Sequence, residues 1–426
     1  MHVMFIHNAF PGHFGALAAK MIKLCGAECS VAAHGCRPEE IMGVNVFPTD
    51  MDPSAEIVQD DGETSSSLYE LRRRTRTSVV ATEVIAQVNK NIPVDLIVVH
   101  ADWGSSSTLR RYFPDTPIIT YLEQYIPPGN TIFDFITGNP EDSSIDRRLL
   151  MDAQNMNRLY DVSEMDAAWV PSAWTKSCLP GVMKDDPMIY VQHEGIDTQF
   201  WQRVPREEAI TADLPDAVKE SKKLVTYVNR SFEVAKGFDI FMQAAKEIYQ
   251  NDPDVHFACV GRPGEEFNEK MSDEVQRMSY KDWVLEQDEF DLSRFSFIDR
   301  VDSTTLASLL SLSKCHVYLS APMILGWSVF NTMACGTPIV ASRTGSIPEV
   351  VKHGENGFTP PFFDWKLIAD SVLRVVNMPE KEWLSFSRNA RDTIELQYDF
   401  RITAPRIYSF FEDIVAGKGR PQNRDI

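Results

Sequence analysis

Arg230 and Lys236 stand six positions apart, after an apolar run that closes at Val228 and before a helical pattern that opens at Phe238. Two cations beside the free amides of a helix start can converge on a phosphate, so this spacing makes a diphosphate clamp that needs no metal ion. It equally suits two surface cations near Glu233, and spacing by itself leaves both readings open. A second anion-facing feature is the stretch 324–338, where Gly326 turns the chain into a short helix expected from about Ser328 to Gly336. Pro338 blocks its continuation. Asn331, one turn in, can hydrogen-bond a hydroxyl, while Val329 and Met333 face the core. On local features alone an ordinary strand-loop-helix explains this stretch as well.

Such loops need a scaffold that gathers them at one edge. Residues 3–6 are a short apolar run, followed by the turn-rich 7–12, then Phe14, Leu17, Ala18 and Met21 at helical spacing, then a second run at 29–33. Residues 95–99, 117–121 and 167–170 continue the pattern, apolar and without period-two alternation, as parallel strands covered on both faces should be. After a polar connection at about 202–223 a second set begins, with strands at 224–228, 255–260, 295–298, 317–319 and 338–341. Its helix 238–249 turns Phe238, Phe241, Met242, Ala245 and Ile248 to one side. The expected fold is α/β with two Rossmann-like, doubly wound parallel-sheet domains, 1–200 and 201–399, and a helix at about 400–416 packing back on the first. Ligands sit beyond the carboxyl ends of parallel strands, so the functional loops are expected around a crevice shared by the two domains.

Composition narrows the partners. The chain has 426 residues, 43% hydrophobic and 24% charged, which suits two or three cored domains and excludes wholesale disorder. Its 42 Lys and Arg against 61 Asp and Glu leave a net charge of −19, which disfavours nucleic acid and acidic membrane as partners. The one compact basic run, Arg72, Arg73, Arg74 and Arg76 after Asp60 and Asp61, reads as a solvated helix face. Seven cysteines (Cys25, Cys29, Cys36, Cys178, Cys259, Cys315 and Cys335) form no Cys-x-x-Cys pair, pointing to reduced thiols and a cytoplasmic protein. No run approaches the roughly 18 apolar residues of a membrane span, and Met1 and His2 lead into a strand without a signal peptide's basic start. Asp252 and Asp254, flanking Pro253, have the look of a metal site but fall at a helix-to-strand turn, where these residue types are ordinary. Glu265 and Glu266 make no better case.

Taken in order, Arg230 with Lys236, the run 333–342, Gly345 followed by Pro348 and Glu349, and the run 353–358 resemble the donor half of retaining glycosyltransferases of family 4. Residues 7–14, 95–104, 193–198 and 291–294 resemble one bacterial branch of that family, so the resemblance spans nearly the whole chain. It implies the GT-B architecture, a nucleotide-sugar donor held mainly by the second domain, a hydroxyl acceptor held by the first, and transfer with retention. No cofactor and no obligatory metal are implied.

Carried over residue by residue, the resemblance makes Arg230 and Lys236 the binders of the donor diphosphate and stabilisers of the leaving group. Gly12 would bring backbone close to the same phosphates, where a side chain would obstruct it. Arg300 and Val301 match a segment whose backbone reads the base, and Leu325, Gly326, Trp327, Ser328 and Asn331 fall in the donor loop and helix. His100, at the end of one strand, and Glu123, closely following another, would stand near the reacting centre; Glu123 occupies a position where many relatives have His. A buried Glu can hold a sugar hydroxyl or share a proton with the acceptor. A structural hydrogen bond is the plain alternative for both, and more so for His13. In relatives the departing phosphate oxygen helps take the acceptor proton, so no protein nucleophile is expected, and no Ser-His-Asp pattern appears. The loop 125–130 and the segment through Arg148 would shape the acceptor site for a polysaccharide, a lipid-linked sugar or a small metabolite.

One departure stands out. The family's donor motif has two glutamates with seven residues between them, and the matching positions are Met323 and Asn331. The second glutamate usually grips both ribose hydroxyls; Asn331 keeps hydrogen bonds without charge, a contact weaker by about 1–2 kcal/mol. A non-catalytic protein that binds a sugar nucleotide or a partner is therefore the alternative reading, and a transferase acting on a modified nucleobase ranks below both.

Overall fold

A computed structural model describes residues 1–33, 43–48, 66–127, 132–137, 145–264 and 279–420. Cys36, Asp60, Asp61, Glu265, Glu266, part of the loop 125–130 and the chain beyond 420 lie outside the described residues. The chain forms two compact units, one of residues 1–195 together with the segment that starts at Tyr398, the other of Ile196–Gln397.

The first unit is built on a seven-stranded sheet of order β3-β2-β1-β4-β5-β6-β7. Its strands are β1 (His2–His7), β2 (Glu28–Ala33), β3 (Asn45–Pro48), β4 (Leu96–His100), β5 (Ile118–Tyr121), β6 (Ala167–Val170) and β7 (Ile189–Val191). Every pairing is parallel. The uninterrupted apolar runs follow from burial on both faces, and successive side chains supply opposite cores. Val3, Phe5, Val31 and Val98 pack with Phe14, Leu17 and Met21 and with Ala404, Ile407 and Phe411 of the helix Phe400–Asp413. Met4, Ile6, Ile97 and Val99 point the other way, onto Ala81, Ile85 and Leu109.

The basic run 72–76 departs from the expected solvated face at Arg74, which is 4% exposed; its guanidinium lies 2.6 Å from Asp161, and its Nε donates to the Gly104 carbonyl at 3.1 Å. Asp161 also accepts from the Ser107 amide, so the pair ties the helix Ser66–Val88 to the helix Ile145–Glu164. A charge run shows how often cations recur but not which of them meets a buried carboxylate. Arg74→Met should cost about 3–5 kcal/mol in urea denaturation, because it strands the Asp161 charge in the core. A loss below about 1 kcal/mol would show that the pair holds nothing together.

The second unit has a six-stranded parallel sheet of order β10-β9-β8-β11-β12-β13. Its strands are β8 (Lys223–Ser231), β9 (Val255–Arg262), β10 (Phe295–Ile298), β11 (Cys315–Tyr318), β12 (Ile339–Ala341) and β13 (Gly357–Phe358). The helix Phe238–Asn251 buries the five apolar residues expected of it and adds Ile240 and Ala244. β8 runs past Val228 because its pairing with β9 resumes, after a register shift, at Ser231 opposite Arg262. Arg230 thus sits inside the strand's last turn of pleat instead of after it. Asp252 serves the turn before β9, paired with Lys223 at 2.6 Å and bonded by Asn377 at 3.0 Å. The described cysteines are free thiols, four of them buried, and among the described residues no helix is long and apolar enough to cross a membrane.

Candidate active site

In the first unit the neighbouring strands β1, β4 and β5 end side by side and bring the candidates His100 and Glu123 together with His7, which the sequence did not single out. His7 closes β1 and His100 closes β4, their rings meeting edge to face with centroids 4.9 Å apart. Glu123 follows β5 by two residues, with Oε2 3.3 Å from His100 Nε2. The turn after His7 is possible only with glycine at position 12: φ is +47°, and a Cβ there would lie 2.5 Å from the Ala9 carbonyl oxygen and 2.7 Å from His7 Nδ1. That turn folds His13 back between the others, Nδ1 3.1 Å from His7 Nε2 and Nε2 3.1 Å from Glu123 Oε1.

Electrostatics assigns the protons. Burial pushes the Glu123 carboxyl up, but hydrogen bonds from His100 and His13 outweigh it and hold the group well below the usual carboxylate range. Burial pulls His13 down, and the hydrogen bond and charge of Glu123, helped by Glu194 and Asp102, raise it to about 9. Burial, with the neighbouring His100 and His13 rings, pulls His7 well below its ordinary value. At neutral pH His13 is therefore an imidazolium donating through Nε2 to a Glu123 carboxylate and through Nδ1 to a neutral His7. Such a carboxylate is a weak base and a strong acceptor, suited to orienting a hydroxyl.

Behind this row lies a second buried set that sequence reading passed over except as part of a longer run. The Tyr121 hydroxyl donates to Glu194, and His193 Nε2 lies 3.4 Å from the other Glu194 oxygen. Burial raises Glu194 and pulls His193 down to about 3. The signal for the whole group was present as His7 and His13 on either side of a turn, but nothing in the order of residues ranks His13 as its centre. The donor atoms of His7, His13 and His100 lie within 4.8 Å of one another, as do those of His100, Asp102 and Glu123. A transition ion on the group that includes His13 would first have to displace the His13 proton.

In the second unit, Lys236 ends a 3-10 turn, Val234–Lys236, and Gly237 leads on into the helix Phe238–Asn251. Its ammonium lies 3.3 Å from Ser320 Oγ and 2.8 Å from Met323 Sδ, against the loop that follows β11. That loop feeds the helix Trp327–Ala334. Gly326, at its cap, donates its amide to the Tyr318 hydroxyl at 3.1 Å, and a Cβ there would stand 2.7 Å from that oxygen. Within the helix Asn331 is buried and its Oδ1 makes no hydrogen bond, while Val329 and Met333 are fully buried. Leu325 is buried, Ser328 half-buried, and Trp327 and Arg230 exposed. Lys236 and the 320–328 loop are thus brought together. Arg300 and Val301 follow β10, at the sheet's edge and two strands from β8; Arg300 is exposed, whereas Val301 packs on the apolar cluster of Leu224 and Leu309.

Two family models match this chain, one described as a glycosyl transferase family 4 group over residues 29–201 and one as glycosyl transferases group 1 over residues 212–393. The chain belongs to the group 1, family 4 glycosyltransferases. It is 26% identical over 197 residues to N-acetyl-alpha-D-glucosaminyl L-malate synthase of Bacillus anthracis, covering 46% of each chain. It is 24% identical over 192 residues to spore coat protein SA of Bacillus subtilis, covering 45% of this chain and 49% of that one. The chain thus spans about half the length of the curated relatives it matches. In fold it resembles sucrose-phosphate synthase from Thermosynechococcus elongatus, with a TM-score of 0.73 and 15% identity over 98% of this chain and 100% of that one. Anabaena HepE in complex with UDP and glucose matches with a TM-score of 0.65 and 16% identity over 97% of this chain and 100% of that one. The glycosyltransferase therefore has the GT-B fold, its two parallel sheets being the two Rossmann-like halves.

Proposed function

We propose that this glycosyltransferase moves a sugar from a nucleoside diphosphate to a hydroxyl acceptor, with retention and without a metal ion. The observation that carries the reading is Lys236, whose ammonium lies against the loop that feeds the helix Trp327–Ala334, so that a cation and a helix start border one loop. A diphosphate seated there would be neutralised by Lys236 and Arg230 as the sugar departs, the charge stabilisation that a divalent ion supplies elsewhere. Asn331 Oδ1, buried and unpartnered, is available to a ribose hydroxyl. In the first unit the Glu123 carboxylate would accept a hydrogen bond from a sugar or acceptor hydroxyl, with His13 and His100 fixing its orientation. Because Glu123 is held so acidic, the departing phosphate is the better proton acceptor, which agrees with same-face attack. The free thiols support a reducing, cytoplasmic setting.

HepE was crystallised with UDP-glucose, which makes UDP-sugars the first donors to try. Calorimetry with UDP, GDP and ADP, and then with their sugars, in the presence of EDTA, should show one nucleotide binding and its sugar being hydrolysed or transferred. Binding of none of them would sink the reading. A second reading is favoured by Met323, which sets a thioether against Lys236 where the family has a carboxylate. Tight donor binding with no hydrolysis and no transfer to any acceptor pool would establish that non-catalytic reading instead.

A further inference from the structure

The second unit carries a basic pocket at the end of its sheet opposite the candidate donor loops. Lys222 stands one residue before β8 and Lys314 one before β11, both at amino-terminal strand ends, whereas Arg230 and Lys236 lie at and beyond the carboxyl end of β8. Nine residues of β8, at roughly 3.3 Å each, set the two ends about 25–30 Å apart. Arg203, Arg206, Lys222 and Lys314, with Ser311 and Ser313, line a cavity of about 460 Å³, and no carboxylate is among its lining residues.

Arg203, Arg206 and Lys314 are held by uncharged partners. The Arg203 guanidinium carbon and the Lys314 ammonium lie 4.8 and 4.7 Å from the ring centroid of the buried Trp383, whose indole N–H donates to the Lys314 carbonyl at 2.8 Å. Arg203 also donates to the carbonyls of Gly336 and Ser311, and Arg206 to those of Lys219 and Ser221. Carbonyls and an aromatic face fix geometry without cancelling charge, so the positive potential of the cavity stays. Glu380 acts in the opposite sense on Lys314, yet burial and the Arg203 charge prevail and lower its ammonium pKa. Lys314 is half-buried; Arg203, Arg206 and Lys222 are exposed, within reach of a ligand in the cavity. In a chain of net charge −19, gathering four cations in one concavity opposes folding by like-charge repulsion, and a bound anion relieves it.

We propose that this cavity is a second anion site, distinct from the donor site, which takes a small molecule bearing a phosphate monoester or diphosphate. The concavity falls within the size range of small-molecule sites, not that of a flat basic stripe for nucleic acid. Two planar guanidiniums can grip phosphate oxygens in pairs, while the lysines add point charge. The proposal stands apart from the donor reading, and its failure would leave Arg230 and Lys236 untouched.

The test uses the full chain carrying Arg230→Ala and Lys236→Ala, so that the donor clamp contributes nothing, and titrates inorganic pyrophosphate by calorimetry. A saturable event should remain, weaken as salt rises, and weaken by about tenfold or more when Lys222→Ala and Lys314→Gln are added. In the otherwise unaltered protein the same two pocket substitutions should remove one of two binding events, with an unchanged circular dichroism spectrum. Loss of all pyrophosphate binding in the donor-site variant, or binding indifferent to the pocket substitutions, would overturn the proposal. So would sedimentation with phosphatidic acid vesicles, absent with phosphatidylcholine, that depends on Lys222 and Lys314 while pyrophosphate fails to bind, since the phosphate would then be a lipid headgroup.

Discussion

Lys236→Ala is expected to lower kcat for sugar transfer or donor hydrolysis by about 10²–10³-fold, and Arg230→Ala by a similar factor, with little change in folding stability. The size follows from where the charge develops. As the bond to the sugar breaks, negative charge grows on the departing diphosphate, and a preorganised ammonium stabilises that charge more than it stabilises the bound donor. The stability expectation follows from surroundings: Arg230 is exposed, and the Lys236 ammonium rests on the Ser320 hydroxyl, the Met323 thioether and the Tyr318 ring, not on a buried carboxylate. Lys236→Arg should restore part of the loss, because it keeps the charge but not the compact head that fits beside Met323. Steady-state kinetics on both variants, beside chemical denaturation, decides the matter. Turnover unchanged in both would remove the phosphate assignment.

Glu123→Gln should strip His13 of its charge at neutral pH. With its carboxylate partner, His13 holds its proton to about pH 9; with a neutral amide, burial is opposed only by the more distant Glu194 and Asp102, and the titration midpoint should fall to about 6.5 or below. Nuclear magnetic resonance of the His13 ring reads this directly. The same shift sets a stability profile. The folded-state pKa of His13 lies above its unfolded value, so its contribution is complete below about pH 6.5 and is lost as pH rises toward 9. Glu123 is shifted the other way, and its contribution is complete above about pH 4.5 and is lost in acid. Stability of the parent protein should therefore fall between about pH 6.5 and 9 by roughly 2–3 kcal/mol from this pair, and the fall should flatten in the Gln variant. Transfer activity should drop about 100-fold, since the amide keeps the shape but loses the anionic acceptor. A His13 midpoint that does not move would show that another group holds the proton.

Much of this was legible along the chain. Continuous apolar runs such as those at the cores of β1, β4 and β9 announce parallel strands buried on both faces, and the spacing of Phe238, Phe241, Met242, Ala245 and Ile248 announces one helix face, because burial on a regular backbone leaves a period. β3, β7 and β13 were not legible: they are two to four residues long, and in β3 and β7 most residues are not fully buried, so no run accumulates.

By itself, then, the sequence determined the two α/β sets, the family resemblance and the six-residue spacing of Arg230 and Lys236, all of which depend on neighbours along the chain. Only the tertiary structure decided that Arg74 is a core ion pair, that Lys236 lies on Met323, that four cations share one cavity, and that His13 is the charged centre of its group. The reason is the same in each case. A side chain's charge state and partners are set by groups that strand order brings within a few ångströms from distant positions, such as His13 and Glu123, and Coulombic and hydrogen-bond energies depend on that distance, not on separation along the chain.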